Sequence, residues 1–140
     1  MATNPLSSSG PGPVLEGIVF NYSDNDLILL DQREWYGSVK PPQVIRKESS
    51  AKINYDGYSK VGVVYKAKND INWVLAWSNM SGENNKVFID ITETVVDWSA
   101  VEMSLEKSTS HPPPVHKYGS TATAMIDQKN DVAVLTAAFE

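Results

Sequence analysis

The sequence predicts an all-β protein, a single antiparallel β-sandwich. Two observations carry this. Eight or nine short runs of apolar, β-branched and aromatic residues, most alternating with period two, are separated by turn signals roughly every 8–12 residues. No long segment has a helical period, which argues against an α/β arrangement. A chain of 140 residues is one domain. At this size about two-thirds of the unfolded surface is buried, so no disulfide or metal staple is needed.

Taken in order, MATNPLSSSGPGP is polar and rich in Gly, Ser and Pro, with neither a basic nor an apolar leader region. Residues 1–13 therefore read as a flexible, disordered tail and 14–140 as the sandwich domain. Val14–Tyr22 is an apolar, β-branched strand, and Ser23-Asp24-Asn25-Asp26 is a turn cluster. Leu27–Leu30 is a continuous apolar run, as expected of a strand buried on both faces, and the two strands read as a hairpin. DQREWYGSVKPP, residues 31–42, follows. Gly37 permits a reversal, and Pro41-Pro42 confines what comes next to an edge or loop. Gln43–Lys47 alternates weakly, and Ala51, Ile53 and Tyr55 are spaced by two. Val61–Ala67, Asn72–Ser78 and Val87–Thr92 are the clearest strands.

Residues 97–107, DWSAVEMSLEK, fit two descriptions. Asp97 can cap a helix with Trp98, Val101 and Leu105 on one face. Alternatively Val101, Met103 and Leu105 alternate with polar residues as a strand, which is the favoured reading. Ser108–Pro114 is a loop, and Ser120–Ile126 with Val132–Phe139 form a last pair turned at 127–131. The expected core comprises Ile18, Phe20, Leu27, Leu29, Val63, Tyr65, Val74, Trp77, Val87, Ile89 and Ile91.

Composition narrows the functions. Without cysteine, disulfides and thiolate metal sites are excluded, which suits a reducing, cytoplasmic setting. A net charge of −5 and a pI near 5.0 exclude nucleic acid as a natural partner and disfavour strongly anionic membranes. No apolar run approaches the ~20 residues of a membrane span. The sequons at Asn21 and Asn79 read as incidental. His111 and His116 flank a triple proline, a spacing that builds no helical metal face, so no metal or other cofactor is expected. There is no nucleophile elbow and no phosphate loop, and the carboxylate pairs sit in turns. An enzyme is therefore not the expected reading, although one with a shallow pocket stays an alternative.

The aromatics are more informative. Trp73 and Trp77 share one face of a strand, core rather than ligand-facing. Trp35 and Tyr36 point to opposite faces of theirs, so at least one is expected at the surface. Tyr55 and Tyr58 bracket a YDGY turn. Amphipathic rings at strand ends serve sugar-stacking and membrane-interface sites, and they also seal sandwich ends. The candidate ligand site is thus Trp35, Tyr36, Arg33, Glu34, Tyr55 and Tyr58, with the two charged side chains orienting a zwitterionic or hydroxylated ligand.

YSKVGVVYKAKNDINWVLAWSNMSGENNKVFIDITE resembles the core of the plant jasmonate-induced protein family, through Gly62-Val63-Val64-Tyr65, Trp73–Asn79 and Asn85-Lys86-Val87-Phe88. FNYSDNDLILLDQREWYGSV, Asp97-Trp98 and Gly119-Ser120-Thr121 extend the resemblance over about residues 14–139. The chain departs from that family in lacking its N-terminal helical extension, and in carrying Gln32, Arg33, Glu34 and Tyr36 where the family has histidines. A looser similarity is to fungal actinoporin-like β-sandwich proteins that recognise lipid headgroups through clustered aromatics. The resemblance implies an actinoporin-like sandwich and a non-catalytic stress- or defence-type binding module. Its partner would be a membrane surface with zwitterionic lipid, or a glycan as for a lectin, with homo-oligomers left open. A protein-interaction domain using a sheet edge is the alternative.

Overall fold

Two five-stranded sheets pack face to face in this computed structural model, which describes residues 13–140. The expectation for the tail falls, apart from Pro13, outside the described residues. The strands are β1 (Val14–Asn21), β2 (Leu27–Tyr36), β3 (Val44–Ile45), β4 (Ser49–Asp56), β5 (Ser59–Lys66), β6 (Asn72–Asn79), β7 (Lys86–Thr92), β8 (Val115–Lys117), β9 (Ser120–Lys129) and β10 (Val132–Phe139), with helix α1 (Trp98–Glu106) between β7 and β8. The first sheet has the order β4-β1-β10-β9-β8 and the second β3-β2-β5-β6-β7. Every pairing is antiparallel except that of β1 with β10. The all-β sandwich is therefore as expected, with one parallel contact joining its first and last strands.

Three expectations change. β1 and β2 form no hairpin, because residues 22–26 cross from the first sheet to the second. Asn21 anchors that crossing: its Nδ2 donates to Asn25 O at 2.8 Å and, across the sandwich, to Ile45 O at 2.9 Å. The same residue sets the register of β1. With Asn21 fully buried, Leu15 and Val19 turn inward, in step with Ala133 and Ala137 of β10, while Ile18 and Phe20 lie half-buried on the outer face. A slip of one residue exchanges faces, so the expected pair is replaced by its neighbours. In β2 only Leu27 is fully buried; Ile28 and Leu30 are exposed, because α1 lies over β5–β7 and reaches β2 only further along, at Asp31 and Trp35.

The third change is the favoured strand over 97–107, which is helical. Asp97 is the N-cap, accepting from the backbone N–H of Ser99 and Ala100. The outer face of the second sheet offers an apolar bed of Val64, Val74 and Ala76, and Trp98, Val101 and Leu105 bury into it. Val101 and Leu105 satisfy both periods. Met103 decides between them, and it is 60% exposed.

The main core lies between the sheets. Trp73 and Trp77 are fully buried there, as the sequence predicts, together with Tyr65, Leu75 and Phe139. Trp73 tilts against Tyr65 and Phe139 at ring distances of 6.0 and 5.6 Å. Trp77 Nε1 donates to Ser59 Oγ at 3.0 Å. Burial pushes the Tyr65 phenol well above its ordinary pKa, and its hydroxyl donates to Pro42 O. Asn79 is fully buried like Asn21, so neither sequon presents its amide to solvent.

Candidate functional site

The outer face of the second sheet carries the chemistry. It begins at Gly62 of β5, which has Arg33 opposite on β2 and Ala76 on β6. A β-carbon there would meet the Trp98 ring at 2.5 Å and the Trp35 ring at 3.3 Å. The missing side chain is what lets both indoles lie on the sheet. They meet edge to face, with centroids 5.9 Å apart and planes at 78°. Trp98 Nε1 donates to Asp31 Oδ2 at 2.9 Å, so the ring that starts α1 is tied to β2. Lys60 Nζ sits 5.9 Å from the Trp35 ring centre.

Lys60 also joins the helix to the sheet. Its ammonium pairs with Glu102 at 2.9 Å and with Glu106, and Lys86 reaches Glu106 from β7 at 3.6 Å. Burial alone would lower the Lys60 pKa, but the hydrogen bonds and charges of Glu106 and Glu102 outweigh it and raise the value. The hydrogen bond from Lys60 holds the Glu106 carboxyl below its ordinary pKa, against a smaller opposing effect of burial.

Two register shifts shape β2, one between Leu29 and Asp31 and one between Glu34 and Tyr36. The second is a bulge at Trp35, which resets the alternation and places Tyr36 opposite Lys60. Trp35 and Tyr36 therefore do not divide between the two faces as strict alternation predicts. Trp35 is half-buried against the helix cluster, and Tyr36 is 48% exposed. Arg33 is exposed and, among the described residues, has no hydrogen-bond or ion-pair partner. Exposed Ile28, Leu30 and Val44 continue the strip toward β3.

The other candidate residues lie elsewhere. Glu34 Oε2 accepts from Val39 N at 2.7 Å, and Gln32 Nε2 donates to Val39 O at 3.3 Å. Together they draw the 37–43 loop onto the flank of β2, where Val39 is buried. Tyr55 packs on the main core, and its hydroxyl accepts from Ser38 N at 3.2 Å. Tyr58 is half-buried beside the same loop, with its carbonyl 2.8 Å from where a Gly37 side chain would begin. The structure thus groups Arg33, Trp35 and Tyr36, while Glu34 and Tyr55 fasten the loop behind them. His111 and His116 do not converge, since the first pairs with Asp127 and the second with Thr121 Oγ1. Among the described residues no group of three or more His, Asp or Glu is placed to hold a metal.

On the far flank of α1 is a cavity of about 220 Å³, with Val74, Phe88 and Val101 below and Thr92, Asp97 and Ser104 at its rim. Sequence reasoning missed Asp31, Lys60 and Trp98 as neighbours of Trp35. Gly62 within a strand of bulky residues was the one available signal, since a strand glycine marks a close approach.

No family model matches the chain, and no curated protein matches it in sequence, so the resemblance to the jasmonate-induced family finds no support there. Solved structures do match its fold. A structure of the lipid binding protein Nakanori superposes with a TM-score of 0.79 at 10% identity, over 96% of this chain and 74% of that one. The wild-type lectin XCL of Xerocomus chrysenteron gives 0.61 at 9% identity, over 91% and 99%, and a mutated form of it gives 0.61 at 8%, over 94% and 99%. The chain shares its β-sandwich fold with these proteins, in keeping with the looser of the two similarities.

Proposed function

We propose that this protein is a non-catalytic binding module that docks on a zwitterionic lipid headgroup at a membrane surface through the outer strip of β2. The observation that carries the reading is Arg33, a cation with no hydrogen-bond or ion-pair partner among the described residues, set between the exposed ring of Tyr36 and the exposed apolar side chains of Leu30 and Ile28. A guanidinium in that position can take a phosphate bidentately. An adjacent phenol ring suits both a quaternary ammonium and the interfacial zone of a bilayer. Trp35 supports the strip from beneath and is itself held by Trp98 and Lys60. A lipid-binding protein among the fold neighbours supports the reading. The lectin neighbours support a glycan as second ligand class. A stress or defence setting and a cytoplasmic location belong to the same proposal.

The test is co-sedimentation with vesicles of phosphatidylcholine, with and without sphingomyelin, against phosphatidylglycerol, beside a glycan array. The zwitterionic vesicles are expected to carry the protein down. Arg33→Ser and Tyr36→Ala should each weaken binding about tenfold, by analogy with interface anchors worth roughly 1–2 kcal/mol. Wild-type protein left in the supernatant, or variants that sediment equally well, would overturn the reading.

A further inference from the structure

A second cleft, remote in character from the β2 strip and sharing no residue with it, opens where the two sheets meet at the start of β7 and the end of β9. Its volume is about 600 Å³. Asn84, Asn85 and Lys86 line it from the second sheet, and Asp127 and Gln128 from the first. The segment 108–110 forms the wall between them and is bonded to both sides. Val87 N donates to Thr109 O at 3.0 Å, Ser108 Oγ donates to Val87 O at 2.6 Å, and Ile126 N donates to Ser110 O at 2.9 Å. The frame is therefore fixed from both sheets.

We infer that this cleft is a binding site for a neutral saccharide. Its lining carries the amides of Asn84, Asn85 and Gln128 and the hydroxyls of Ser108, Thr109 and Ser110 beside apolar surface, the mixture that the edges and face of a sugar ring present. Its cation is matched internally and its carboxylate is hydrogen-bonded. Lys86 Nζ is taken by Glu106, through the carboxylate and the backbone carbonyl, and Asp127 Oδ1 by His111 Nε2 at 2.9 Å. No unpaired cation lines the cleft to select an anionic ligand. The polar groups are also held in place while keeping spare capacity. Asn85 Nδ2 donates to Gln128 Oε1 at 2.9 Å, Gln128 Nε2 donates to Asn130 O at 2.7 Å, and Ser110 Oγ is hydrogen-bonded to His111 Nδ1. Asp127 Oδ2 is left over as an acceptor, and the serine hydroxyls keep lone pairs. Adjacent donors and acceptors fixed in this way match the vicinal hydroxyls of a sugar ring.

One atom within this shell is unmatched. Asn85 is 8% exposed, and its Oδ1 is buried without a hydrogen-bond partner. A buried acceptor left unmade is a standing penalty, and native proteins keep few of them. Gln128, which holds the other end of the same amide, is exposed. A ligand hydroxyl that enters beside Gln128 and reaches Asn85 brings the missing donor to the amide oxygen.

The experiment screens the whole chain on an array of neutral and sialylated oligosaccharides without lipid, so failure of the headgroup reading leaves it intact. The highest-affinity glycan is then titrated against labelled protein and followed by amide chemical shifts. Binding of a neutral glycan is expected, with shifts centred on residues 84–86, 108–111 and 126–128. Gln128→Ala and Asp127→Asn, both at exposed or half-exposed side chains, should each weaken it at least tenfold while the rest of the spectrum stays native. An empty array, a preference for sialylated glycans, shifts centred on Arg33 and Tyr36, or native-like binding by both variants would each overturn the assignment.

Discussion

Replacing Gly62 with alanine tests the construction of the helix-bearing face most directly. A β-carbon at Gly62 would lie 2.5 Å from the Trp98 ring and 3.3 Å from Trp35, whereas ordinary contact begins at 3.4 Å. The Trp98 ring must retreat by about 1 Å, yet it is 8% exposed, starts α1, and is tied to Asp31. In an unobstructed strand, Gly→Ala stabilises by roughly 0.5–1 kcal/mol through backbone entropy. Overpacking of a filled site costs about 1–3 kcal/mol, so Gly62→Ala should be net destabilising by about 1–2 kcal/mol. The assay is urea denaturation of the wild type, Gly62→Ala, Trp98→Leu and the double variant. With the indole removed the clash disappears, and Gly62→Ala should then be neutral or stabilising. The coupling between the two sites should be about 1.5–3 kcal/mol in favour of the double variant. Additive effects, or a Gly62→Ala change that stabilises the wild type, would refute the argument that the glycine exists to seat Trp98.

Other outcomes follow from single contacts. Trp77→Phe should cost more than Trp73→Phe in the same denaturation series, because Trp77 Nε1 donates to Ser59 whereas Trp73 Nε1 is buried without a partner; equal losses would count against this. Asp97→Ala should lower stability by about 1 kcal/mol by removing the cap of α1, and calorimetry showing no change would mean that packing alone sets the helix start. Glu106 has a folded-state pKa below its ordinary 4.5, so its contribution is present above that value and fades as pH falls through the folded-state pKa. Wild type should therefore exceed Glu106→Gln in urea midpoint at pH 7 and lose that lead as the pH falls below 4.5, the lead being small because the carboxylate is 44% exposed. A lead that does not depend on pH would exclude this ion pair as its source. Expression in a secretory host should leave Asn21 and Asn79 without glycan by intact mass, since both amides are buried in the folded domain.

Much of the sandwich was legible because strand burial is written as alternation. β5, β6 and β7 alternate or run apolar over lengths that only strands use, and their core residues Val63, Tyr65, Trp77, Val87, Ile89 and Ile91 are buried as their spacing predicts. Of the candidate site, Arg33, Trp35 and Tyr36 stand together, because a short run of aromatics and charges on one strand stays local whatever the fold does. Glu34 was legible as a charged residue but not as a loop anchor, since its partner, the Val39 amide, is set by how the 37–43 loop returns.

What only the tertiary structure decided are the properties that depend on a second segment far along the chain. The face of β1 follows from Asn21 reaching Ile45 and from the parallel partner β10, neither visible in the local pattern. Residues 97–107 satisfy a strand and a helix equally well at Val101 and Leu105. The choice falls to helix because β5 and β6 present an unfilled apolar face and Gly62 leaves room for Trp98. The bulge at Trp35 likewise belongs to the pairing of β2 with β5. Period and composition fix which residues can be buried. Which surface buries them is a long-range pairing, with a free energy that the local sequence does not contain.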